Sequence, residues 1–110
     1  MVAGTALANC QTVPFRFSDI AANPVVHTSG ATNGAPCEVT FTSKTIIYET
    51  SSIARAPRNG KLDKKGLVSF IYTPRKGFKG DDVYAIKICG KDDRTQATGC
   101  LTAHYAIEVR

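Results

Sequence analysis

The chain has no tryptophan, a single methionine and only two histidines, and its apolar residues never run far without interruption. No apolar stretch approaches the ~20 residues that a membrane-spanning helix needs, so no such span is expected. Long windows of Leu, Ala, Glu and Lys with a 3.6-residue stripe are missing as well, which excludes a helix bundle. No two cysteines stand in C-x-x-C spacing, which removes zinc ribbons and thioredoxin-type redox sites. No G-x-S-x-G, H-E-x-x-H, P-loop or dinucleotide fingerprint occurs either, so neither an enzyme nor a cofactor is expected.

What is there describes a small β protein. At 110 residues, 43% hydrophobic and 21% charged, the chain is long enough for one domain with one modest core. Val, Ile, Thr, Tyr and Phe are plentiful, which favours strands. The opening "MVAGTALANC" carries a small-residue cleavage pattern at Ala6-Leu7-Ala8, with Asn9 as the first mature residue. The stub lacks a basic segment and a full apolar segment. Residues 1–8 are therefore read as a signal-peptide remnant or a disordered terminus, and 9–110 as a single domain.

The four cysteines, Cys10, Cys37, Cys89 and Cys100, are an even set suited to two disulfides in an oxidising compartment, either periplasmic or secreted. Strand candidates lie between Gly, Pro and Asn punctuation. Thr12–Phe17 reads as an edge strand, because Pro14 cannot donate to a ladder. The segment 23–36 reads mostly as loop, with at most a short strand at Val25-Val26. Cys37–Thr42 alternates cleanly, Thr45–Ala56 supplies one or two strands, and Leu67–Pro74, Asp82–Cys89 and Cys100–Val109 complete the set. About seven short strands point to an antiparallel β-sandwich.

The last two strands constrain each other. If Cys89 faces Cys100, then Ile88 opposes Leu101, Ile86 opposes Ala103 and Tyr84 opposes Tyr105, all apolar and all on one face. A one-residue slip destroys that segregation. The register thus supports a Cys89–Cys100 bridge facing away from the core, which leaves Cys10 for Cys37. The rival pairing, Cys37 with Cys89 across the core, requires Cys89 to turn inward.

"APRNGKL" followed by "VSFIYTPRKGFKGDDVYAIKI" resembles the C-terminal half of bacterial immunoglobulin-like, cadherin-like repeats. The matching residues are Pro57, Gly60, Phe70, Tyr72, Thr73, Pro74, Gly77, Phe78, Gly80, Asp82, Tyr84 and Ile86, and the match covers a little under half of the chain. Residues 9–50 and the four cysteines fall outside the family pattern. The resemblance implies an Ig-like sandwich acting as a non-catalytic binding or structural module of a bacterial envelope. Its physical content is a crossover between sheets. Asn59-Gly60 is expected to form a tight turn, and Pro74 to end a ladder. Gly77 and Gly80 are expected at positive φ in that crossover, with Phe78 plugging the core and Asp82 bonded to the backbone amides of the same turn.

Charge is uneven. Between residues 55 and 79 lie Arg55, Arg58, Lys61, Lys64, Lys65, Arg75, Lys76 and Lys79 against Asp63 alone, more positive charge than the whole chain's net +5. Such a lobe suits a polyanion: lipopolysaccharide, an acidic glycan or nucleic acid. The plainer role is a solvated surface whose lysines keep edge strands from pairing. No partner is identified; a protein or an envelope glycan or lipid is favoured over nucleic acid, and the chain is expected to be a monomer. His27, on a presumed loop, and His104, on an outward strand face, show no spacing that brings a second histidine or a carboxylate to either, so both are read as surface residues. Asp81-Asp82 and Asp92-Asp93 are too few for calcium, which takes six to eight oxygens. Peptide mapping without reduction is expected to recover Cys10 linked to Cys37 and Cys89 linked to Cys100. A dominant Cys37–Cys89 peptide would overturn the hairpin register.

Overall fold

The structure, a computed structural model, describes residues 10–13, 15–17 and 19–110. The expected leader remnant, residues 1–8, and Pro14 lie outside the described residues. The strands are β1 (Cys10–Thr12), β2 (Val25–Thr32), β3 (Cys37–Thr40), β4 (Ile46–Arg55), β5 (Gly60–Lys64), β6 (Ser69–Pro74), β7 (Gly80–Asp92) and β8 (Thr98–Val109). A single 3₁₀ turn, Ile20–Ala22, is the one helical element among the described residues. The strands form two sheets, in the orders β1-β2-β8-β7-β4 and β3-β6-β5.

Alternation builds the core. β6 turns Phe70 and Tyr72 inward, β3 turns Cys37 and Val39, and β7 and β8 face them with Tyr84, Ile86, Ile88, Leu101, Ala103, Tyr105 and Ile107. The β7–β8 ladder pairs Cys89 with Cys100, Ile88 with Leu101, Ile86 with Ala103 and Tyr84 with Tyr105. Cys89 is bonded to Cys100, their Cα atoms 4.0 Å apart, and Cys10 to Cys37, at 5.4 Å. Cys37 points into the core while Cys89 points out of it, so the rival pairing does not form. The two bridges do different work: one staples a hairpin within a sheet, the other ties β1 of the larger sheet to β3 of the smaller.

Four strand expectations need correction. The N-terminal edge strand is Cys10–Thr12 rather than Thr12–Phe17, because the register ends at Thr12 and the Val13 amide makes one last bond to the Ser29 carbonyl. The segment read as loop contains β2, eight residues long and parallel to β8. Its inward stripe includes Thr28 and Thr32, whose hydroxyls bond the carbonyls of Val13 and Ala35. Threonines satisfied by loop carbonyls bury well but carry no hydrophobic signature. The stretch after Asn59 is β5, an edge strand with Leu62 alone buried among polar neighbours. The strands therefore number eight among the described residues rather than about seven. Asn59-Gly60 accordingly does not close a hairpin but carries the chain from β4 to β5, between sheets. A Cβ on Gly60 would stand 2.5 Å from the Thr73 carbonyl oxygen and 2.8 Å from the Tyr72 ring, so close approach is what requires glycine there.

Three tyrosine rings stack through the core, Tyr72 on Tyr84 at 5.4 Å and Tyr84 on Tyr105 at 4.8 Å between centroids. The separations fall in the favourable range for aromatic pairs. Burial pushes the Tyr105 phenol up to about 12. Burial raises Tyr72 and Tyr84 as well, with the Asp82 hydrogen bond adding to the rise at Tyr72. Tyrosines of the unfolded chain ionise near pH 10. These three phenols therefore keep their full contribution to stability below about pH 10 and lose it as the pH climbs toward the folded values. In an alkaline titration followed by tyrosinate absorbance and circular dichroism, the three phenols are expected to ionise only with unfolding. Ionisation near pH 10 with the sheet signal intact would show that the rings are open to water.

Candidate functional site

The crossovers at one end of the sandwich are organised by a single carboxylate. Asp82, on β7 and 3% exposed, accepts hydrogen bonds from the Arg58 and Val83 amides at Oδ1, both at 3.0 Å. Its Oδ2 accepts from the Asn59 amide at 3.0 Å and the Tyr72 hydroxyl at 2.8 Å. Four donors offset the cost of burying one carboxylate. The Arg75 amide then bonds the Asn59 carbonyl at 2.8 Å, joining the β6–β7 connection to the β4–β5 connection. Gly77 and Gly80, at φ 81° and 134°, turn that second connection. Phe78 between them is half-buried against the core rather than sealed in it, and the Arg75 guanidinium lies 5.5 Å from its ring centre.

This frame divides the eight cations. Arg58 lies in the first connection, and Arg75, Lys76 and Lys79 lie in the second, all exposed and all at one end, while Arg55, also exposed, ends β4 opposite Ala85, five residues along β7 from Gly80. Lys61 stands one residue into β5, opposite Thr73. Arg110, which the charge count between residues 55 and 79 passed over, joins this end because its neighbour Val109 pairs with Gly80. Its guanidinium is 3.1 Å from Glu108. Lys64 and Lys65 sit at the far end of β5, roughly 13 Å away at ~3.3 Å per residue. Lys61, Lys64 and Lys65 thus do not share one turn. Lys64 reaches across the open side of the sandwich, and its Nζ donates to the Ser51 carbonyl of β4 at 2.9 Å.

The other candidates resolve differently. Asp92 accepts from the Arg94 and Thr95 amides and pairs with the Arg94 guanidinium at 3.3 Å. Its bonds with Arg94 hold its carboxyl below the usual range. Asp82 is likewise engaged by protein donors, which leaves Asp81 and Asp93 as the exposed members of the acidic pairs. Among the described residues no three His, Cys, Asp or Glu side chains gather to hold a metal ion. A cavity of about 500 Å³ opens between Phe15, Phe41, Tyr48, Tyr105, Asp92 and Arg94. His27 lies on β2 rather than on a loop, and β2 brings it directly opposite His104. The sequence reading missed that contact because it follows from a parallel strand pairing that the polar β2 does not advertise.

No protein-family profile matches the chain, and no curated protein matches it either. Among the described residues, no helix is long and apolar enough to cross a membrane.

Asp82→Ala is expected to lower stability by about 3–5 kcal/mol, because it leaves a hydroxyl and three amides without their acceptor. Tyr72→Phe, which removes one donor to the carboxylate and leaves the ring, should cost about 1.5–3 kcal/mol. Equal losses in urea unfolding would show that the carboxylate bonds the hydroxyl alone.

Proposed function

We propose that the chain is a non-catalytic, immunoglobulin-like binding or structural module of a bacterial envelope, exported to the periplasm or beyond. The strand order is the observation that carries this reading. β3-β6-β5 corresponds to strands B, E and D of an immunoglobulin sandwich, and β4, β7 and β8 correspond to C, F and G. β2 takes the place of a first strand laid beside the last, and β1 is an addition outside that plan. Two disulfides support an oxidising compartment. The resemblance of residues 56–88 to Ig-like repeats is a second support for this reading.

A second reading is favoured by a specific arrangement. Arg58, Arg75, Lys76 and Lys79 leave from two connections that a hydrogen bond joins at one end, and Asp82 on β7 is committed to four protein donors. That end suits a polyanion such as lipopolysaccharide or an acidic glycan, held by charge and sensitive to salt.

One experiment separates the readings. The wild type and a quadruple variant, Arg58→Gln, Arg75→Gln, Lys76→Gln and Lys79→Gln, are bound to bacterial envelope fractions over a salt series. Exposed changes of this kind cost within about 0.5 kcal/mol each, so the variant should fold. The polyanion reading requires weaker capture and a flatter dependence of log K on log salt; on duplex DNA the slope would fall by up to about 3–4 units. Capture that is unchanged in the variant and insensitive to salt supports the neutral module. A wild type that binds no envelope fraction removes both readings.

A further inference from the structure

The chain has only two histidines, separated by most of its length, and the fold places them side by side. His27 of β2 and His104 of β8 are register partners in the parallel ladder. Their rings lie 4.8 Å apart between centroids with planes 15° from parallel. Both side chains project from the outer face of the five-stranded sheet, His27 exposed and His104 partly so. Their neighbours on that face are small: Ala85 opposite His104, Ser29 and Ala106 in the next row, Val25 and Thr102 in the row before.

We infer that His27 and His104 form a two-imidazole site for a divalent transition metal of the copper–zinc class. Imidazole nitrogen suits these ions and is their commonest protein ligand. A tetrahedral ion with bonds of about 2.0–2.1 Å holds two nitrogens roughly 3.3 Å apart, somewhat closer than the stacked centroids. Rotation of the exposed ring brings both nitrogens onto one ion. The remaining coordination positions fall to water or to a donor from another molecule, because no carboxylate stands in the rows around the pair. Lys87, opposite Thr102 in the adjoining strand, adds a repelling charge. Affinity therefore lies below that of a closed structural zinc site, with copper(II) ahead of zinc(II) by the usual order of stabilities. Arg55, at the end of β4, stands two strands along the same row, opposite Ala85, and the site does not depend on the envelope-module reading.

The test uses the untagged, oxidised protein and CuCl₂ or ZnCl₂ alone. Calorimetry should find one ion per chain. Magnetic resonance of the diamagnetic zinc form should move the ring signals of both histidines together, and the copper spectrum should carry two equivalent nitrogens. His27→Gln and His104→Gln should each weaken binding at least about tenfold, and the double variant should abolish it. Melting of each metal-free variant confirms that the sheet is intact. Absence of saturable binding, a shift of only one ring, or equal affinity in the two single variants and the wild type would reduce the pair to a packing contact.

Discussion

A buried carboxylate with four donors holds this sandwich in register with itself. Asp82 sits on β7, yet three of the groups it accepts from belong elsewhere: two amides of the β4–β5 connection and the hydroxyl of β6. Each of those segments passes between the sheets or packs across them. Their relative placement would otherwise rest on apolar contact, which is not directional. A charge in the interior is costly alone, and here full satisfaction makes it a locating device. The stacked tyrosines are tied to it, since the Tyr72 hydroxyl that donates to Asp82 anchors the ring that stacks on Tyr84. So is the basic end, since Arg58 and Arg75 leave from connections that Asp82 and the Asn59 carbonyl bind together.

The parts of this fold that a linear reading recovers are those in which side-chain type tracks burial. β7 and β8 alternate over their length, so their mutual register followed from three apolar pairs and one cysteine pair. β3 and β6 read clearly for the same reason. β2 and β5 escaped because burial there falls on threonine hydroxyls answered by loop carbonyls, or on one leucine among charges. Periodicity detects oil, and these strands are held by hydrogen bonds.

The candidate sites were legible in proportion to how local they are. The Gly-Phe-x-Gly-x-Asp pattern pointed Asp82 at amides of its own turn, whereas it takes the Arg58 and Asn59 amides of the β4–β5 connection, a contact between segments that no local pattern contains. The cations looked contiguous only because the chain that carries them doubles back through β5 and β6, which separates Lys64 and Lys65 from Arg58 and Arg75. The histidine pair depends on a parallel contact between the first and last parts of the chain. No local pattern announces a contact of that span, and recognising β2 was the step that would have placed it.

The position of the Cys10–Cys37 bridge has a mechanical consequence. β2 and β8 run in the same direction with eight residue pairs between them. In the reduced protein, tension between the chain before Cys10 and the chain after β8 first peels β1 from β2, since Cys10 lies opposite Thr32 and Thr32 opposite Val109, and then loads the parallel ladder lengthwise, so that its bonds must yield together. In the oxidised protein the bridge short-circuits residues 11–36 and delivers the same tension at Cys37, in the opposite sheet. The thiol state of one cysteine pair therefore decides which sheet bears a pull on the molecule.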